Sequence, residues 1–167
     1  MQIPTTREDH LVAWLAALAI VIHVMESTLP SPLPGIKPGL ANVITVLVLC
    51  LYGWRVAVWV ALLRVLVGSI LVGSFLSPGF YLSLSGAICS LAVMGMATRL
   101  PILRLSPLGY SILASLAHMA GQFWTAYSLF IPHPAMFNLL PLLMTAALVF
   151  GTISGIITLY VIRHVTP

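Results

Sequence analysis

The segment RVAVWVALLRVLVGSILVGSF, residues 55–75, is an apolar run that is interrupted near its middle by one arginine, Arg64. A transmembrane helix needs about 20 consecutive, mostly apolar residues. The length of this segment therefore predicts a membrane-spanning helix. An arginine at the centre of such a helix costs about 2.5–3.5 kcal/mol, so Arg64 also predicts either a partner inside the protein or a polar cavity.

The whole chain has the same apolar character. Of its 167 residues, 60% are hydrophobic and 6% are charged, whereas soluble domains contain about 25% charged residues. The mean hydropathy is +1.12. This composition excludes an ordinary soluble domain. Because the apolar runs do not alternate with polar residues, helices are predicted rather than the strands of a membrane barrel.

Proline, glycine and charged residues divide the chain into six predicted spans within a single transmembrane domain, residues 1–167. The predicted fold is an all-α membrane bundle of six transmembrane helices. The second span is only about 22 Å long, short of the ~30 Å hydrocarbon core, so its N-terminal end is expected to be covered by protein or to lie below the membrane surface. The spans are 11–28, 39–53, 55–75, 79–98, 106–130 and 139–162.

Basic residues are distributed unevenly between the two ends of these spans. Short loops rich in Lys and Arg stay in the cytoplasm, and Lys37 alone lies at the other end. The chain is therefore predicted to be a multi-pass protein of the cytoplasmic (inner) membrane with both termini cytoplasmic. The net charge of +4 then reflects topology rather than nucleic-acid binding. The basic residues at the cytoplasmic end are Arg7, Arg55, Arg99, Arg104 and Arg163.

Polar side chains within the spans form a candidate binding site. Glu26 is the only acidic residue beyond the N-terminal tail, and His23 lies one turn before it on the same helix face. His118 and Gln122 are also one turn apart. Counting from the cytoplasmic ends places Arg64 and His118 near mid-membrane, and Glu26 further out. One pocket open to the outside could contain all of them, or Arg64 and Glu26 could only bind each other.

Lys37 precedes the second span in the segment LPSPLPGIKPGLAN, residues 29–42. Pro38 suits the first position of a helix, whose free backbone amides and dipole favour an anion. Asn42 lies one turn further on. Together with Arg64, Lys37 would suit a carboxylate or a phosphate. Alternatively, the Lys37 side chain extends to the lipid headgroups.

No metal or cofactor is predicted to bind. His23, Glu26 and His118 could supply metal ligands, but no HExxH or CxxC pattern supports that interpretation and the neighbouring cations oppose it. The sequence also has no Walker A loop, so the chain cannot couple ATP hydrolysis by itself. Uphill transport would require an energising partner.

Ala13 and Ala17 are four residues apart and therefore share one face of the first span. Small residues at this spacing let another helix approach closely. The pair is predicted either to pack within the bundle or to dock on another membrane subunit.

Three segments of the sequence resemble a known family. They are LPGIKPGLANVITVLVL, LLRVLVGSILVGSFLSPGFYLSLSGAICSLAVM and LAHMAGQ. They resemble the Gx transporter family, also called heptaprenyl diphosphate synthase component I, in which a polar residue usually stands at the position of Met119. That family is similar in size, span number and hydropathy to the substrate-binding S components of energy-coupling factor (ECF) transporters. In S components an A-x-x-x-A pattern on the first helix docks on a transmembrane coupling subunit. Ala13 and Ala17 match this pattern, so the resemblance implies the same role for them.

These features predict a membrane subunit that captures a small anionic ligand from the outer side and is energised by partner subunits. The partners could be an ECF-type transmembrane coupling subunit and its ATPases. The synthase name suggests an alternative, a non-catalytic accessory subunit of heptaprenyl diphosphate synthesis. Enzymes of prenyl transfer bind magnesium pyrophosphate through clusters of carboxylates. This chain has three acidic residues in all, so catalysis by this chain alone is not predicted. A third alternative is a membrane scaffold in which Arg64, Glu26 and His118 pair only with one another.

Overall fold

The fold is an all-α bundle of six helices, as the sequence predicts. The structure is a computed structural model that describes residues 7–28, 40–100 and 105–165. A π-helical turn, Ala126–Phe130, and a 3-10 helix, Pro134–Leu139, connect the last two helices, and no strand is present in the described ranges. The helices are α1 Arg7–Thr28, α2 Leu40–Tyr52, α3 Trp54–Leu71, α4 Pro78–Arg99, α5 Pro107–Thr125 and α6 Leu140–Val165.

Glycine and proline determine several helix ends. Gly53 has a φ of 88° and separates α2 from α3, and Gly73 has a φ of 70° just after α3. Glycine adopts positive φ without a steric penalty. The third predicted span extended to residue 75, but the helix ends at Leu71 because this turn follows. Pro78 and Pro107 each occupy the first turn of a helix, where the missing amide hydrogen leaves no hydrogen bond unmade.

Three helical segments in the described part of the chain are long and apolar enough to cross a membrane, namely Trp54–Leu71, Pro78–Arg99 and Pro134–His164. Two shorter apolar helices span Asp9–Met25 and Asn42–Tyr52. Large hydrophobic side chains cover the outside of the bundle, and Trp14 on α1 is 76% exposed. An apolar exterior of this kind is expected of a membrane protein, because lipid replaces water around it.

The shortest helix, α2, lies at the centre of the bundle. It packs against α1, α3, α5 and α6. Its 13 residues extend about 20 Å, which is too short to cross the hydrocarbon core alone. Because neighbouring helices surround it, most of its surface contacts protein rather than lipid. Its buried residues are Val43, Ile44, Thr45, Val46, Val48 and Leu49.

Glycines on α4 and α6 allow close helix packing. A Cβ atom added to Gly95 would lie 2.5 Å from Trp54 Nε1, and one added to Gly155 would lie 2.7 Å from Leu108. Trp54 Nε1 also donates a hydrogen bond to the Leu91 carbonyl at 3.2 Å. These contacts join α3 to α4 and α6 to α5, and so fix the walls around α2.

Candidate functional site

Arg64 is the buried charge around which the candidate site is built. It lies in the middle of α3 with 4% of its surface exposed. Its Nη1 and Nη2 atoms both donate hydrogen bonds to Asn42 Oδ1, each at 3.3 Å. Asn42 lies in the first turn of α2, so this contact connects the beginning of the central helix to the middle of its neighbour.

His118 belongs to the same polar region. Arg64 and His23 both interact with it electrostatically, and its ring lies against Gly86. The ring occupies space that Gly86 leaves open on α4, since a Cβ atom there would lie 2.8 Å from His118 Cε1 and Nε2. Among the described residues, His118 Nδ1 is buried and has no hydrogen-bond partner.

His23 on α1 is accommodated in a similar way. A Cβ atom added to Gly68 on α3 would lie 2.8 Å from His23 Cδ2. Two glycines, Gly68 and Gly86, therefore make room for two histidine rings that face the Arg64 region. Neither glycine was predicted from the sequence to lie at the site. A glycine within an apolar helix is a signal of close approach, but it does not reveal the partner.

A cavity of about 210 Å³ lies between α1, α3, α4 and α5, and His23 is in its wall, whereas Arg64, Asn42 and His118 are not among its lining residues. Gln122, one turn beyond His118, is in its wall, and so is Val65, the residue after Arg64. The wall combines hydroxyl, amide and imidazole groups with apolar side chains. Its other residues include His23, Ser69, Ser74, Phe80 and Ser83. The serines and Phe80 were not predicted from the sequence, because helical spacing alone does not distinguish them from other residues of α3 and α4.

The structure thus brings together three of the predicted site residues, Asn42, Arg64 and His118, whereas Gln122 lies in the cavity wall. Glu26 lies in α1, three residues after His23, but its side chain is outside the described part of the structure. Lys37 is also outside it. The predictions for these two residues therefore stay predictions. No group of three or more His, Cys, Asp or Glu side chains that could hold a metal occurs within the described residues.

Ala13 and Ala17 lie apart from this site, in the N-terminal half of α1. Both are exposed on the bundle surface, and Trp14 and Leu18 beside them are exposed as well. Of the two arrangements predicted for the pair, packing inside the bundle does not occur in the described structure. Their surface is open to lipid or to another subunit.

A second cavity, of about 420 Å³, lies where α1 begins and α2 meets α3. Asp9, Tyr52, Arg55 and Trp59 line it. Arg55 and Arg64 are nine residues apart in one helix, a rise of about 13 Å, so this cavity is separate from the Arg64 site.

Comparisons with known proteins place the chain in one family. No curated protein matches it, and no solved structure matches it. A family model described as heptaprenyl diphosphate synthase component I matches residues 15–161, which include α2 to α5 completely and most of α1 and α6. The chain therefore belongs to the heptaprenyl diphosphate synthase component I family.

Proposed function

We propose that this protein is a membrane substrate-binding subunit that captures a small anionic ligand from the outer side and is energised by partner subunits. The observation that carries the proposal is the buried Arg64 guanidinium, in the helix whose residues Val65 and Ser69 line a cavity. A charge in this position is expensive, and intramembrane charged residues commonly mark ligand or ion pathways.

The chemistry around Arg64 favours an anion. A guanidinium presents a planar set of donors that matches carboxylate and phosphate groups. Asn42 Oδ1 accepts hydrogen bonds from two nitrogens of the guanidinium and so helps to fix its position. Asn42 also lies in the first turn of α2, where backbone amides and the helix dipole favour negative charge. Lys37, just before this helix, would add a second positive charge at the entrance.

The size of the cavity favours a small ligand. Pockets for drug-sized molecules are about 300–1,000 Å³, and this cavity is about 210 Å³. A heptaprenyl chain does not fit in such a volume. We therefore propose a small polar ligand, with Gln122 and Glu26 contacting its uncharged or positively charged groups.

The arrangement of exposed arginines supports binding from the outer side. Arg55 begins α3 and Arg99 ends α4, and Arg99 Cζ lies 5.9 Å from the centre of the Trp54 ring at that end of the bundle. The cavity lies toward the other ends of the same two helices, at Ser69 and Ser83. Because arginine-rich ends stay cytoplasmic, this geometry supports a cavity that opens away from the cytoplasm.

The partner proposal rests on the first helix. Ala13 and Ala17 are exposed and four residues apart, and a helix of another subunit could pack closely on them. Since the sequence contains no Walker A loop, energy would come from partners of the ECF type, a coupling subunit with ATPases.

The test is to identify what co-purifies with the protein. We expect mass spectrometry of the detergent-purified chain to find a small acidic molecule, and we expect Arg64→Gln to lose it. Arg55→Gln is the matched control, because Arg55 is exposed at the far end of α3. Retention of the same molecule by the folded Arg64→Gln variant would refute the proposal.

The family name supports a second candidate, a non-catalytic accessory subunit of heptaprenyl diphosphate synthesis. The three acidic residues of the chain are too few for two carboxylate clusters, which argues against catalysis by this chain alone. In the same purification, recovery of a prenyl synthase and no small ligand would favour this candidate.

A further inference from the structure

The cavity of about 420 Å³ at the beginning of α1 combines charged and aromatic side chains. Asp9 on α1 and Arg55 on α3 supply one negative and one positive group to its wall, and both side chains are exposed. Aromatic side chains form much of the remaining wall. They are Tyr52, Trp54 and Trp59. The cavity therefore presents a carboxylate and a guanidinium to the same occupant.

This cavity lies at the level where the apolar helix segments begin. The apolar segment of α1 is Asp9–Met25, and that of α3 is Trp54–Leu71. The two charged residues of the wall are thus at the ends of apolar segments. Tryptophan and tyrosine concentrate at the headgroup level of membrane proteins, and Tyr52, Trp54 and Trp59 are all exposed here. A phospholipid head group is therefore the molecule that is available at this level of the bundle.

The two charges of the wall match the two charges of a zwitterionic head group. A guanidinium binds phosphate oxygens through several N–H donors, and a carboxylate accepts hydrogen bonds from an ammonium group. Asp9 has another interaction within the protein, but a carboxylate has about four acceptor positions and can bind an amine in addition. An anionic head group without an amine would bring its net negative charge next to Asp9, which repels it.

We propose that this cavity binds the head group of a zwitterionic phospholipid such as phosphatidylethanolamine, with the phosphate on Arg55 and the ammonium group on Asp9. The volume of the cavity lies in the range of about 300–1,000 Å³ that is usual for small-molecule sites. The inference is independent of the proposed function, because Arg55 and Arg64 are separated by a rise of about 13 Å along α3.

Binding of defined phospholipids to the purified full-length protein in detergent tests this inference. Native mass spectrometry measures the bound lipid, and phosphatidylethanolamine is compared with phosphatidylglycerol of the same acyl chains. We expect phosphatidylethanolamine to bind roughly threefold to tenfold more tightly, as for one additional hydrogen bond. Soluble phosphoethanolamine is the third probe. We expect it to bind much more weakly, because it lacks the acyl chains that contact the apolar surface.

Two variants separate the contributions of the two charges. Arg55→Gln removes the partner of the phosphate, so we expect it to weaken the binding of both lipids, again roughly threefold to tenfold. Asp9→Asn removes the negative charge that favours the amine, so we expect the preference between the two lipids to disappear. Arg163→Gln is the matched control, because Arg163 is an exposed arginine in the last turn of α6 that is not in the wall of the cavity.

The melting temperature of each variant without added lipid shows whether it is folded, and the comparison of the two lipids on the wild-type protein depends on no variant. Equal binding of both lipids, or tighter binding of phosphatidylglycerol, would overturn the zwitterionic head group. Unchanged lipid binding by the folded Arg55→Gln variant would overturn the site. If soluble phosphoethanolamine binds as tightly as the lipid, the ligand is a soluble phosphate ester and the lipid is wrong.

The proposed small-ligand site is tested by a different variant. Arg55→Gln should lose lipid and keep the small acidic molecule, whereas Arg64→Gln should lose that molecule and keep lipid. The two proposals can therefore fail separately.

Discussion

Asn42 Oδ1 accepts hydrogen bonds from Nη1 and Nη2 of the buried Arg64 and so helps to hold the guanidinium in place. Replacing Asn42 with a charged or an apolar residue should therefore have opposite consequences for folding and binding. In Asn42→Asp, a carboxylate would meet the guanidinium and form a charge-assisted pair. We expect this variant to unfold at or above the wild-type temperature but to lose its stabilisation by phosphate, because its own carboxylate replaces the ligand's charge.

The apolar variant Asn42→Leu is the control for this prediction. It removes the acceptor of both Arg64 donors in a buried place, which should destabilise the fold by about 1–3 kcal/mol. Thermal unfolding with and without phosphate measures both effects. Full stabilisation of Asn42→Asp by phosphate would mean that Arg64 does not recognise the ligand's charge.

Gly86 is predicted to matter because of the space it leaves for the His118 ring. An alanine Cβ would lie 2.8 Å from two ring atoms, so we expect Gly86→Ala to cost about 1–3 kcal/mol of folding free energy. Gly79→Ala is the matched control on the same helix, since its nearest contact would be an ordinary 3.6 Å to Ser77 Oγ. Reversible unfolding in mixed detergent micelles gives both values.

A double variant tests the cause of this loss. If the collision with the ring is responsible, Gly86→Ala should cost little in a His118→Ala background, where the ring is absent. An unchanged cost in that background would place the strain elsewhere in α4.

The first helix is the element on which partner docking depends. Ala13 and Ala17 are exposed, so Ala13→Trp with Ala17→Trp should leave folding and phosphate stabilisation intact while a close-packed partner helix is blocked. We expect the double variant to lose co-purification with its membrane partner and ligand uptake by cells. Leu18→Trp, also exposed on α1 but on a different face, is the control and should have little effect.

A loss of folding in the Ala13 and Ala17 variant would show that this exposed face of α1 is needed for the stability of the bundle rather than for docking. Undiminished uptake would remove the reason for proposing docking at these residues. The two results are separable because melting temperature and uptake are measured on the same variant.

At the scale of elements, the sequence was sufficient to predict the helices but not the contacts between them. Length, hydropathy and the positions of proline and glycine predict all six helices, including the short α2. Arg64 is buried and has a partner inside the protein, which is one of the two arrangements that its place in an apolar run predicts. The hydrogen bonds of Arg64 to Asn42 could not be predicted, because the two residues are 22 positions apart on different helices. Periodicity describes one helix at a time and carries no information about which faces meet.

The connection between α5 and α6 shows the same limit. The fifth span was predicted to extend through residue 130, and the helical path does continue through the π-helical turn Ala126–Phe130. The aromatic contact of Tyr127 with Phe137, with ring centres 5.1 Å apart, then holds the 3-10 helix against this turn. A change from α to π geometry adds one residue to a turn, and apolar composition gives no sign of it.

At the scale of the whole molecule, the bundle has two chemically different ends. The polar cavity with His23 and Gln122 lies toward one end, and exposed arginines such as Arg55 and Arg99 lie toward the other. The long helix α6 connects the two ends, with His133 exposed just before the 3-10 helix that leads into it and His164 exposed in its last turn. The position of the binding site relative to the cell therefore depends on which end is cytoplasmic.

Cysteine labelling of these two histidine positions should determine the orientation. In a chain with Cys50 and Cys89 replaced by alanine, we expect a membrane-impermeant maleimide to modify His133→Cys in intact cells and His164→Cys only after the membrane is opened. The expectation follows from the arginines, since Arg163 precedes His164 and the loops that contain Arg stay cytoplasmic. The two positions are matched in parent residue and exposure, so a difference in labelling reports sidedness alone. Labelling of His164→Cys and protection of His133→Cys in intact cells would invert the topology, turn the cavity toward the cytoplasm and end the proposal of capture from outside.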